Sequence, residues 1–177
     1  MEFDGFVGKD GVGIGLWIRS PFQQKIKVPN NVGLCSYKLA FDCTNNEAEY
    51  EALITGLKIL KKLGARRIAV YGDSELVIKQ IKGEYQANHP RMMQYRNATL
   101  EILRMFSEYA LKVVPRLQNL MDDSLATAAS NFISTMFSNK NFEIHIKHRP
   151  AFPDNLKFWQ VFWFEKFSMD EVYDKDD

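Results

Sequence analysis

Between Thr44 and Ile81 the sequence runs helix, strand, helix, and that succession restricts the topology more than any other feature of the chain. Thr44-Asn45-Asn46 offers N-cap side chains, Ala48 to Leu63 carries apolar residues at helical spacing, and Gly64 supplies a helix stop. Ile68 to Tyr71 is a short apolar strand, after which Asp73-Ser74 caps a helix through Ile81 that stops at Gly83. A strand that leads through a helix to another strand of one sheet needs a parallel crossover.

The flanking segments complete an alternating pattern. From Phe3 to Phe41 the chain is strand-like: Gly13 to Ile18 is short and apolar, Ser20-Pro21 breaks it, and Leu34 to Phe41 alternates after Asn30-Asn31. Three hairpin-linked strands are the simplest reading. Pro90 opens a second helical stretch to about Tyr109, Leu111 to Val114 reads as a strand, and Asn119 caps a last helix to about Phe137. The order is β-β-β-α-β-α-β-α, an α/β chain. Beyond Ser138 the character changes to prolines, the aromatic cluster Trp159, Phe162, Trp163, Phe164 and Phe167, and an acidic end from Asp170 to Asp177. The expected division is a domain over residues 1–138 and an aromatic then acidic tail or linker over 139–177, partly disordered.

Composition removes several classes of function. No run of about 18 apolar residues occurs, and no basic region leads into an apolar stretch at the N-terminus, so the expectation is an intracellular protein of cytoplasm or nucleus without a membrane span. Cys35 and Cys43 lack metal-ligand spacing, which leaves zinc sites and disulfide frameworks without support. Lys plus Arg total 23 against 22 Asp plus Glu, so net charge alone neither demands nor excludes nucleic acid. Gly11-x-Gly13-x-Gly15 lacks phosphate-loop spacing and sits in strand context, which indicates close packing or a bulge. His145 and His148, with Asp154 nearby, point different ways in a strand or coil and do not make a metal site.

Four acids stand in unusual places. Asp4 lies within the first apolar strand, and Asp73 falls just past the C-terminal end of the Ile68 to Tyr71 strand, where α/β sheets collect ligand groups. Glu49 shares the stripe of Leu53, Gly56 and Leu60, the apolar face of its helix, whereas Glu47 and Glu51 are expected to point the other way. Asp123 is in the first turn of the last helix, beside Asp122. Each alone reads as a cap or a dipole partner. Converging at one sheet edge, they would repel and raise one another's pKa, so the cluster calls for a bound cation. Oxygen-only ligands suit Mg²⁺ or Mn²⁺, and two such ions about 4 Å apart suit phosphodiester cleavage.

Phe3-Asp4-Gly5, the run Thr44-Asn45-Asn46-Glu47-Ala48-Glu49-Tyr50-Glu51-Ala52-Leu53, Tyr71-Gly72-Asp73-Ser74, and Asn119 to Ala126 with Asp123 resemble the type 1 ribonuclease H family in order and spacing. More narrowly, the Asn45 to Leu53 run and Gly83-Glu84-Tyr85 are similar to the ribonuclease H domain of plant gypsy-type LTR retrotransposon polyproteins. The tail from Arg149-Pro150 to Phe162 resembles the stretch between that domain and the integrase. The resemblance implies a ribonuclease H-like fold: a five-stranded mixed sheet, its first three strands antiparallel, with helices on both faces. It implies an endonuclease that hydrolyses the RNA strand of an RNA–DNA hybrid, with Asp4, Glu49, Asp73 and Asp123 as the metal-binding set. Thr44, Asn45 and Asn46 would contact the hybrid, with Ser74 and Arg116 as further candidate contacts; N-capping by Thr44 to Asn46 is compatible with that role. Reverse transcriptase and integrase parts of a polyprotein are the implied partners. Two rival readings are a catalytically degenerate or domesticated fragment that only binds nucleic acid, and an interaction module built on the aromatic tail.

Overall fold

The computed structural model describes residues 1–19, 34–119, 145–147 and 150–151. Strand β1 (Glu2–Gly8) turns through Lys9-Asp10 into β2 (Gly11–Trp17), a two-residue hairpin, and β2 pairs antiparallel with β3 (Leu34–Leu39). On the other side of β1 lies β4 (Arg67–Gly72), parallel to it, followed by β5 (Glu108–Val113), parallel to β4. The strand order is β5-β4-β1-β2-β3-β6, in which β6 is the short segment His145–Lys147, parallel to β3. The five expected strands are therefore present with the expected mixed directions, and a sixth lengthens the β3 edge. His145 to Lys147 fall on the tail side of the division at residue 138, yet they belong to the sheet.

Helix α1 (Asn45–Lys62) begins where the N-cap residues predict. Glu47 N–H donates to Thr44 Oγ1 at 3.3 Å and Thr44 N–H donates to the Glu47 carboxylate at 3.0 Å, so each side chain satisfies a backbone donor that the first turn leaves open. At the other end Gly64 takes φ +77°, with Gly64 N–H on Lys61 O and Ala65 N–H on Leu60 O, a left-handed stop that a β-carbon would strain. Between its ends α1 is buried nearly all round, because β1 and β2 cover one side and α3 (Pro90–Leu103) the other. Helix α2 (Glu75–Ile81) touches α1, α3 and β5. The Tyr50 and Tyr95 rings stack with centroids 5.5 Å apart and join α1 to α3.

Several expectations need correction. Two helices, α2 and α3, separate β4 from β5, where the written order has one. The helix expected to reach about Tyr109 ends at Leu103, since Ser107 N–H already bonds Arg66 O and Glu108 pairs with Arg67 to start β5. Leu103 and Phe106 continue the helical spacing, so the period alone does not mark that boundary. Glu47 and Glu51 point away from Glu49 as expected, but they are 5% and 0% exposed, because the outer face of α1 is itself buried by a second layer. The helix expected from Asn119, with Asp122 and Asp123, and the aromatic and acidic tail lie outside the described residues, as do His148 and Asp154. Among the described residues no helix is long and apolar enough to cross a membrane.

Candidate active site

The central strand and its parallel neighbour bring the first two acids together. Phe3 is in register with Gly72, so Asp4 and Asp73 are the next residues along two strands that run the same way. Glu49 arrives from above, on the second turn of α1. Carboxylate oxygens of Asp4, Glu49 and Asp73 all lie within 4.8 Å of one another. Asp4 and Glu49 are buried, and Asp73 is half-buried at the sheet edge.

This convergence depends on Gly5. A β-carbon there would stand 2.4 Å from Ala48 C, 2.5 Å from Glu49 N and 2.7 Å from Ala48 O, all backbone atoms of α1. The helix backbone thus rests directly on β1, one residue past Asp4, and Glu49 is carried down to its partner. Asn119, fully buried, donates from Nδ2 to Phe3 O at 2.9 Å, so the chain returns beside β1 four residues before Asp123 in sequence.

Burial raises the Glu49 carboxyl well above the ordinary carboxylate range. The negative charge of Asp4, a hydrogen bond shared with Asp4, and the charge of Asp73 push in the same direction, while a bond from Gly5 N–H opposes them. Glu49 Oε2 has no hydrogen-bond partner among the described residues. An unpartnered buried carboxylate oxygen facing two further acids, with no nitrogen or sulfur ligand in the group, fits a hard divalent cation.

The raised Glu49 carboxyl has a pH consequence. The metal-free folded protein keeps a proton that the unfolded chain releases near the ordinary carboxylate value. Folded stability is therefore lost as pH rises from that value through the folded-state one. Glu49→Gln, which carries no charge, should escape this loss, so the variant should gain on wild type between about pH 5 and about pH 7.5. Thermal melts of both proteins in chelator at the two pH values would show it, and a difference independent of pH would refute it.

The candidate substrate contacts rim the same end of the sheet. Thr44, Asn45 and Asn46 are exposed at the start of α1, and Asn45 Oδ1 accepts from Val7 N–H at 3.3 Å. Ser74, half-buried, caps α2 by accepting from Val77 N–H at 3.4 Å, while Arg116 is exposed in a 3-10 turn (Arg116–Gln118). Cys43 is a free thiol that burial, the largest cause, pushes up to about 12, so it stays protonated and is no nucleophile. Gly11, Gly13 and Gly15 lie along β2 opposite Gly8, Phe6 and Asp4, a strand setting as expected.

Residues 3–129 match the family described as Reverse transcriptase-like. The chain belongs to this ribonuclease H-like family. It is similar to the crystal structure of RNase H1 from Halobacterium salinarum, with 31% identity and TM-score 0.65, over 72% of this chain and 93% of that one. The N-terminal RNase H domain of a Mycobacterium tuberculosis protein superposes with TM-score 0.63 at 31% identity, over 73% of this chain and 91% of that one. LC11-RNase H1, solved in complex with an RNA/DNA hybrid, gives TM-score 0.62 at 26% identity, over 73% of this chain and 94% of that one. In sequence, 86 residues are 40% identical to the ribonuclease HI of Halobacterium salinarum, covering 49% of this chain and 43% of that protein. A Mycobacterium tuberculosis bifunctional protein is 38% identical over 86 residues, 49% of this chain and 24% of that protein. The chain thus spans less than half the length of these curated relatives.

The sequence reading missed the partners of Glu51. Its carboxylate takes hydrogen bonds from Tyr95, Lys147 and the Ala151 backbone, and two of those donors lie about a hundred residues away in sequence. Only the paired outer face of α1 offered a signal: a polar residue on a helix covered on both sides must find a partner.

Proposed function

We propose that this domain hydrolyses the RNA strand of RNA–DNA hybrids, with Asp4, Glu49, Asp73 and Asp123 as the acids that hold two divalent ions, Mg²⁺ or Mn²⁺. The observation that carries the reading is the trio of converging carboxylates with an unpartnered buried oxygen on Glu49. When bound, such ions supply Lewis-acid stabilisation to a phosphodiester under attack by water. The chain's own residues prepare the place: β1 and β4 present Asp4 and Asp73 side by side, Gly5 lets α1 close over them, and burial keeps bulk water from screening the acids. Thr44, Asn45, Asn46, Ser74 and Arg116 are assigned to the hybrid, where an RNA 2′-hydroxyl offers both a donor and an acceptor to polar side chains. The hybrid named in the LC11-RNase H1 complex supports this substrate class.

The narrower affiliation with plant gypsy-type retrotransposon polyproteins rests on the Asn45 to Leu53 run, Gly83-Glu84-Tyr85 and the Arg149 to Phe162 stretch. On that reading the partners are reverse transcriptase and integrase parts of one polyprotein, the domain expected over residues 1–138 also takes in the strand His145–Lys147, the remaining tail serves as the linker, and the site of action is intracellular, in cytoplasm or nucleus. The test is cleavage of labelled RNA–DNA hybrid, duplex RNA, duplex DNA and single-stranded RNA, each with Mg²⁺, Mn²⁺ or chelator. Metal-dependent cleavage confined to the RNA strand of the hybrid is the expected result. A folded protein that cuts none of the four, or cuts all alike, overturns the proposal.

A further inference from the structure

Lys147 and Ala151 lie beyond the 3–129 span that the family covers, yet they reach the helix that carries Glu49. β6 pairs with β3 from Tyr37 and His145 to Leu39 and Lys147, and Ala40 N–H bonds Lys147 O at 2.8 Å. From there Lys147 Nζ donates to Glu51 Oε2 at 2.6 Å and to Thr55 Oγ1 at 3.1 Å, while Ala151 N–H donates to Glu51 Oε1 at 2.7 Å. Tyr95 of α3 donates to the same Oε1 at 2.8 Å. Glu51 is fully buried, and its ion pair with Lys147 is shielded, the lysine side chain being 23% exposed.

The geometry points to Lys147 and Glu51 as a positioning pair through which β6, together with the Ala151 backbone, holds the first turns of α1 in the rotation that keeps Glu49 at Asp4 and Asp73. Glu49 and Glu51, two residues apart at 3.6 residues per turn, project from nearly opposite sides of the helix. A rotation of about 20° would carry a carboxylate about 6 Å from the axis through roughly 2 Å, enough to open the acid group. Any such rotation separates Glu49 from Asp4 and Asp73, whose ligand oxygens now lie within 4.8 Å of its own. Resistance must come from the far side of α1, where Glu51 holds the strap and where the neighbouring Tyr50 hydroxyl bonds Gln80 of α2 at 2.9 Å. Truncating Lys147 removes the ion pair and the Thr55 bond from that side and leaves Glu51 only its bonds from Tyr95 and Ala151.

This inference rests on the metal-site reading, and its test separates the two. Mn²⁺ alone is titrated into wild type, Lys147→Met, Lys147→Arg and Leu103→Ala well below their melting temperatures, with free Mn²⁺ read by electron paramagnetic resonance. Leu103 is fully buried at the far end of α3 and serves as a destabilised control. Lys147→Met should bind Mn²⁺ weaker by on the order of ten-fold. Lys147→Arg should restore binding, and Leu103→Ala should melt earlier but bind as wild type does. Unchanged Mn²⁺ affinity in Lys147→Met, or an equal loss in Leu103→Ala, overturns the positioning role. A wild type that binds no Mn²⁺ overturns the metal site itself.

Discussion

Glu49→Gln is expected to lower the rate of hybrid cleavage by on the order of 10³-fold while leaving the fold intact, as removal of about 4 kcal/mol of transition-state stabilisation would do. The substitution keeps the size of the side chain and its bond from Gly5 N–H, and it removes only the charge that completes the acid group. Glu47→Gln, two residues earlier, should retain most of the rate. Its carboxylate serves Thr44 N–H and the Arg91 guanidinium at 3.0 Å, so its loss belongs to helix capping, about 1 kcal/mol of stability. Glu51→Gln stands apart from both: it weakens the Lys147 pair and should show first in the melting temperature and in metal affinity. Initial rates on labelled hybrid at saturating Mg²⁺, with circular dichroism to confirm folding, distinguish the three. Equal losses in all three glutamine variants, or a folded Glu49→Gln protein within ten-fold of wild type, would contradict the placement of Glu49 at the centre.

Much of this arrangement is local in the sequence, which explains what could be read there. The start of α1 is written in Thr44 and Glu47 three residues apart, its end in Gly64, and the position of Asp73 in the short apolar run before it. Each is a decision made within one turn of chain. The faces of α1 are not local. A helical stripe identifies the side that meets the sheet, and it correctly placed Glu49 there, but it assumes that the opposite side meets water. Here Tyr95 of α3, Lys147 and Ala151 meet that side, so Glu51 is buried by partners whose identity depends on the whole topology. The sixth strand escaped notice for the same reason: His145 to Lys147 is only three residues long, and its pairing partner β3 lies over a hundred residues earlier.

Gly5→Ala is expected to be the most damaging single methyl group that can be added near the site. Its β-carbon would sit 2.4 to 2.7 Å from three backbone atoms of Ala48 and Glu49, and no rotamer change can relieve a clash with a helix backbone. Either α1 lifts off β1 by about 1 Å or β1 bows away from it, and both withdraw Glu49 from Asp4. Overpacking of this kind costs about 3 kcal/mol, which for a chain of this size is a fall of about 10 °C in melting temperature. Displacement of the acid by about 1 Å should also cost roughly 10²-fold in hybrid cleavage at temperatures where the variant stays folded. Gly64→Ala provides the contrast, because a β-carbon there meets nothing within 4 Å and the only penalty is the left-handed backbone at φ +77°. That substitution should cost about 1 kcal/mol and leave cleavage and metal binding unchanged. The two glycines thus separate conformational need from close approach: one ends α1, the other sets how near α1 comes to the strand of Asp4. Calorimetry and initial rates on both variants decide the matter. A Gly5→Ala protein that melts within about 2 °C of wild type and cleaves normally would mean that α1 does not rest on β1 at Gly5, and the assembly of the acids would need another cause.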